Sequence, residues 1–268
     1  MKTHYKNALK QSVFVMLAVA AVMPAAHAAE IVVTPSSSMW YTPPGELRGN
    51  GSSSITDTMP RSGNGSLEMT GDRVRTVMGN LYANDYGTLN PAPSLGLFDQ
   101  LTRLTFDWAV ASGNTTPNEP RYTPALRVSV MDGTTRSELI WEGVYNGINA
   151  RPDADTWYSS GVNDVFWRFS GGTTLENGAQ VNKTLAGWQD SSYYSDTAYI
   201  IGFSVGIGGS AGDGFRAFAD NVTIDLNGVS NTYNFELEAA AVPEPGSLAL
   251  LGLGLIGAAA ARRKRSAR

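Results

Sequence analysis

A period of two runs through the middle of this chain, and it excludes most folds. Leu104, Phe106, Trp108 and Val110 alternate with Thr105, Asp107 and Ala109. Leu126, Val128 and Val130 alternate with Arg127 and Ser129, and Ile201, Phe203, Val205 and Ile207 with Gly202, Ser204 and Gly206. Successive side chains of a strand point to opposite faces, so this pattern marks half-buried strands. Further strands are expected at 31–34, 66–70, 74–78, 138–144, 165–169, 215–226 and 232–237. Turn dipeptides punctuate them at Asp132-Gly133, Asn146-Gly147, Asn177-Gly178 and Asn227-Gly228. Apart from one turn near 95–100, no helical stretch of useful length precedes residue 246. The expected architecture is all-β, an antiparallel β-sandwich of jelly-roll type over 29–241, followed by a single C-terminal transmembrane helix. Segments 36–65 and 170–196, rich in Ser, Gly and Asn, read as loops.

The two ends have a different character. Residues 1–28 combine a basic start (Lys2, Lys6, Lys10), an apolar run over 13–23 and small residues at Ala26 and Ala28. This is the pattern of a signal peptide cut by signal peptidase. At the other end, residues 246–261 hold only Ser247 as a polar side chain and run into Arg262, Arg263, Lys264 and Arg265. Sixteen helical residues span about 24 Å, short of a hydrocarbon core of about 30 Å, but long basic side chains can snorkel and extend the reach. The same four cations hold the terminus on the cytoplasmic side.

Between these ends lie 12 basic and 23 acidic residues, a net charge near −11. Such a surface repels phosphate backbones, so no nucleic-acid partner is expected. The chain has no cysteine, and both histidines, His4 and His27, fall in the signal segment. Ser-His-Asp and Cys-His catalysis and His/Cys metal sites are therefore excluded from residues 29–241. Carboxylates, Tyr, Ser and Lys183, the one lysine of that span, remain for any chemistry.

Val242-Pro243-Glu244-Pro245, then an apolar stretch, then a basic end, resembles the PEP-CTERM sorting signal of Gram-negative bacteria. The resemblance covers 242–268 and implies recognition of Pro243, Glu244 and Pro245 by an exosortase. It further implies a transient inner-membrane anchor before delivery to the cell surface or the extracellular space. Proteins of this kind are associated with exopolysaccharide and biofilm. Two prolines hold the backbone extended and outside the helix, a form a protease can grip.

Strict alternation in 217–226 places Phe218, Asp220, Val222, Ile224 and Leu226 on one face, with Asp220 toward the core. A buried carboxylate must be paired or hydrogen-bonded. Backbone N–H donors, or an arginine such as Arg216, would satisfy Asp220. This strand also resembles the last strand of carbohydrate-binding jelly rolls, which implies a structural calcium on Asp220 with Glu68 as partner; no other cofactor is expected. For function, one reading is a non-catalytic surface protein contacting matrix polysaccharide through Trp188, Tyr193 and Tyr194 in the polar segment 170–196. Alternatives are a glycosidase or lyase using acids such as Asp153 and Asp155, or Asp213 and Asp220, and a purely structural coat protein. No nucleophile elbow or phosphate loop is present, so catalysis is not expected.

Overall fold

The computed structural model describes residues 28–79, 93–115, 121–148, 150–170, 174–176, 181–209 and 211–238. Fifteen strands occur among them. In chain order they are β1 (Ala29–Val33), β2 (Trp40–Tyr41), β3 (Ser52–Thr56), β4 (Ser66–Thr70), β5 (Val74–Gly79), β6 (Gly96–Leu97) and β7 (Leu101–Val110). They continue with β8 (Ala125–Asp132), β9 (Thr135–Trp141), β10 (Tyr158–Ser159), β11 (Trp167–Ser170) and β12 (Thr174–Glu176). After a single short helix, α1 (Leu185–Trp188), come β13 (Tyr199–Ile207), β14 (Arg216–Leu226) and β15 (Val229–Phe235).

The strands form two facing sheets, the β-sandwich that the alternation predicts. One has seven strands, with β14 between β7 on one side and β4 and β15 on the other; the second has eight, in the order β12-β11-β9-β8-β13-β5-β2 with β6 also paired to β13. The chain crosses repeatedly between the sheets, among other places from β4 to β5, β7 to β8 and β13 to β14. Late strands thereby insert between early ones. Pairing is antiparallel except for β1, which runs parallel to β15.

The interior is packed by the alternating residues of both sheets. Leu104, Phe106, Trp108 and Val110 of β7 meet Val128 and Val130 of β8 and Leu139 and Trp141 of β9. Phe106 meets Trp141 edge-on at 5.1 Å, and Trp108 stacks on Tyr158 at 4.7 Å between ring centroids. Each large side chain taken fully from water here contributes about 1.5–3 kcal/mol.

Bulges in β13 and β14 break the alternation. In β13 the pairing with β8 slips between Ile200 and Gly202. As a result Ile200, Phe203, Val205 and Ile207 face the interior, while Ile201 packs on the opposite face with Met131. In β14 the pairing with β7 slips between Asp220 and Thr223, and Asn221 takes a left-handed φ of 49°. Ala217, Ala219, Val222 and Ile224 face the interior, whereas Phe218 joins Ala109 and Ala111 on the outer face. One extra residue reverses the parity of everything after it. The expectation that Phe218, Asp220 and Val222 share a core-directed face is corrected accordingly.

No helix among the described residues is long and apolar enough to cross a membrane. The terminal helix expected from the sequence lies outside the described residues.

Candidate functional site

The aromatic residues singled out in segment 170–196 are not a surface platform. Thr184 caps α1 by accepting from the Gly187 N–H at 3.2 Å. That turn carries Trp188 into the interior, where it is fully buried and donates from Nε1 to the Phe166 carbonyl at 2.8 Å. Tyr194 is buried too, sharing a hydrogen bond of 2.7 Å with Ser137 Oγ and packing 4.9 Å from Phe98. Tyr193 is half-buried, with Lys183 Nζ 4.8 Å from its ring centroid. The Arg168 guanidinium lies 5.1 Å from the Trp188 ring and 5.5 Å from that of Tyr194. Burying so much aromatic surface outweighs the polar setting of the segment, and this corrects the expectation that Trp188 and Tyr194 contact sugar.

Asp220 is completely buried on the outer side of the seven-stranded sheet, opposite Asp107 of β7. Its Oδ1 accepts from the Asn221 and Phe235 N–H groups at 2.8 and 2.9 Å, and its Oδ2 from the Ser62 N–H at 3.2 Å. Glu236, also buried, accepts from the Asn64 N–H at 2.5 Å, and Asn64 Oδ1 accepts from the Leu237 N–H at 3.0 Å. Gly63 lies between these anchors at φ 82°, where a Cβ would collide with the Glu236 carboxylate. The two carboxylates thus clasp the turn at residues 61–65 onto the end of β15. Burial, reinforced by the charge of Glu236, pushes the Asp220 carboxyl up to about 7 against the pull of its three N–H donors.

Glu68 does sit on a strand beside β14, as a shared site with Asp220 would need. Its oxygens, however, accept from Thr56 Oγ1 at 2.6 Å, Thr58 Oγ1 at 2.9 Å and Arg216 Nε at 2.6 Å. Arg216 is paired with Glu68 and not with Asp220. Among the described residues no group of three or more Asp, Glu, His or Cys side chains is placed to hold a metal ion. The two strands meet, with the Glu68 oxygens engaged by Arg216 and two threonines and those of Asp220 by backbone N–H groups.

The outer face of the eight-stranded sheet carries a buried ionic ladder without a simple sequence signature. Arg73, Glu46, Arg75, Glu138 and Arg136 follow one another, at 2.7 Å for Arg73–Glu46 and 3.0 Å for both Arg75–Glu46 and Arg75–Glu138. Burial alone would raise the Glu138 carboxyl, but the charges of Arg75, Arg136 and Arg127 hold it down to about 2. Arg127 is itself buried, and that desolvation, with the nearby charge of Arg75, lowers it to about 10. Close by, Glu142 and Tyr145 share a cleft of about 330 Å³ with Arg121, and burial raises the Glu142 carboxyl.

A third feature lies where the two sheets part at their edge strands, β2 and β3. A groove of about 450 Å³ opens there, and Trp40, Tyr41, Thr42, Ser53, Thr76 and Phe235 contribute to its walls. Trp40 is held edge-on by Tyr233 and Phe235 at 5.6 and 5.5 Å. Tyr41 is 40% exposed and donates its hydroxyl to the Gly79 carbonyl at 3.3 Å. Thr76 Oγ1 bonds Thr42 Oγ1 at 3.1 Å and Ser53 Oγ at 2.6 Å, joining the two sheets by hydroxyls alone. Sequence reasoning missed this groove because β2 and β3 both fall in the presumed loop 36–65. The available signal was an adjacent Trp-Tyr pair inside a run of Ser and Thr.

Ala26, Pro243, Glu244, Pro245, Arg262, Arg263, Lys264 and Arg265 lie outside the described residues, and Ala28 is the first described one and is exposed. No curated protein matches the chain. A family model for the PEP-CTERM protein-sorting motif matches residues 241–265, beginning just past the clasped end of β15. This chain is therefore a PEP-CTERM domain-containing protein, one marked for export and for exosortase-dependent sorting to the cell surface.

Proposed function

We propose that the chain is a non-catalytic protein of the extracellular matrix, delivered to the surface of a Gram-negative cell and associated there with biofilm exopolysaccharide. In this reading signal peptidase removes 1–28, the tail rests transiently in the inner membrane, and exosortase acts at Pro243, Glu244 and Pro245. The observation that carries it is the sorting motif at 241–265, joined almost directly to a folded sandwich that ends near residue 237. The assignment as non-catalytic draws support from how the carboxylates are used. Asp220 is caged by backbone donors, Glu68 and Glu138 are paired with arginines, and Asp155 accepts from the Ser112 N–H at 2.9 Å. A glycosidase or lyase is favoured by one observation, the raised Glu142 carboxyl beside Tyr145 in a cleft.

Replacing Pro243, Glu244 and Pro245 together by alanine, in a host that carries an exosortase, tests the sorting step. The altered chain is expected to stay with the inner-membrane fraction, whereas the parent reaches the surface and co-fractionates with matrix polysaccharide. Undiminished surface delivery of the altered chain would overturn the sorting assignment. Surface delivery of the parent without matrix co-fractionation would leave a structural coat protein.

A further inference from the structure

We propose that the groove between β2 and β3 is a binding site for an uncharged oligosaccharide segment. The proposal deepens the matrix reading above and rests on it. Among the described residues that line the groove, none is charged. In a span with a net charge near −11, that exclusion is informative. A cationic ligand would find no local counter-charge, and a polyanion would be repelled by the surrounding surface. The polar groups in the groove are hydroxyls, including those of Thr34, Ser37, Thr42, Ser53, Ser54 and Thr76. Each can donate and accept, as each sugar hydroxyl can, so the two sets match without any fixed sign of charge.

Three further features suit a sugar. Tyr41 offers an exposed ring, and its bond to the Gly79 carbonyl fixes the ring's orientation. A held aromatic face presents apolar area to the C–H face of a pyranose at little entropic cost. Trp40 lines the groove, is 5% exposed, and its Nε1–H has no acceptor among the described residues. A buried donor without a partner is costly, and a small rotation of the ring that brings the N–H to a ligand oxygen would relieve that cost. The Thr42–Thr76–Ser53 chain uses two hydrogen bonds for three hydroxyls, which leaves one proton and several lone pairs for a guest. The volume of about 450 Å³ lies within the range of small-ligand sites.

The test uses the full-length chain in titration calorimetry against hexamers of β-1,4-glucan, α-mannan and β-1,4-galactan, with polygalacturonate as the anionic comparison. At least one neutral hexamer is expected to bind and polygalacturonate is not. Tyr41→Ala should weaken the neutral ligand about tenfold. Trp40→Phe, which keeps the packing against Tyr233 and Phe235 but removes the N–H, should weaken it severalfold. Thermal melting confirms that both variants remain folded. Binding that neither substitution changes would sink the groove while leaving the matrix reading intact. Binding of polygalacturonate alone, or of no hexamer at all, would also overturn the groove assignment. Matrix co-fractionation of the parent chain then judges the matrix reading separately.

Discussion

Glu138 and Asp220 are equally hidden from water, on the outer faces of opposite sheets, yet their surroundings are reversed. Glu138 is held among arginines; Asp220 is held by three backbone N–H groups, with a second carboxylate, Glu236, nearby. Burial penalises the charged form of both. Full positive charges overcome that penalty at Glu138, whose carboxyl falls to about 2, while N–H dipoles do not at Asp220, whose carboxyl rises to about 7. Burial alone therefore says little about a carboxylate's role. The sign of what faces it separates a permanently charged strut from a clasp that titrates near neutrality.

The largest expected effect comes from removing the strut. Glu138→Gln leaves Arg75, Arg136 and Arg127 facing one another without their central anion. Loss of one partner from a buried ionic group should destabilise the sandwich by about 3–5 kcal/mol, measured as a lowered denaturation midpoint. A loss below about 1 kcal/mol would mean that the arginines repack into solvent and that the contrast with Asp220 is false.

Asp220→Asn tests the other side. The amide retains only one acceptor oxygen for three N–H donors, so a loss of about 1–3 kcal/mol is expected. Its pH signature is more telling. The Asp220 carboxyl is raised from an ordinary 3.8 to about 7, so its favourable contribution is complete below about pH 3.8 and fades as pH rises through 7. Glu138 is lowered from 4.5 to about 2, so its contribution is present above about pH 4.5 and fades as pH falls toward 2. Chemical denaturation across this range should show stability declining in both directions from about pH 4. Asp220→Asn should flatten the neutral limb alone. If the limb between pH 4 and 7 persists, Asp220 is not the group that titrates there.

The smallest effect is expected at Glu68→Gln. Its partner Arg216 has a side chain 39% exposed to solvent, and two threonine hydroxyls still serve the site. A loss of about 0.5–1 kcal/mol, reduced by added salt, is expected in the same denaturation assay. A cost as large as that of Glu138→Gln would show that solvent exposure of the arginine does not distinguish the two ion pairs.

Sheet class was readable because β7, β8 and much of β13 obey the two-residue period with large apolar side chains. Asp220 was recognised as a carboxylate needing partners, and backbone N–H donors, one of the two ordinary readings, are what it has. Its face was misplaced because an inserted residue in a ladder leaves the local composition unchanged: Asn221 looks like any polar residue of a strand until the pairing with β7 is known. Trp188 looked exposed because the segment 170–196 is polar taken as a whole, whereas its neighbours in space are Phe166, Tyr193 and Arg168. The groove escaped for a related reason. Its walls come from residues within 33–42 and 53–55 and from 67, 76 and 235, and none of these segments shows a site alone.

By itself, the order of residues determined the all-β class, the acidic span without histidine or cysteine, and the sorting motif at the C-terminal end. These are properties of local periodicity, composition and contiguous motifs, which need no partner across the molecule. Only the tertiary structure decided which face each residue takes after a bulge, which carboxylates meet arginines and which meet only N–H groups, and where the edge strands leave a groove. Those outcomes depend on pairings between strands far apart in the chain, and the free energy of a buried charge is set by what those pairings bring within a few ångströms of it.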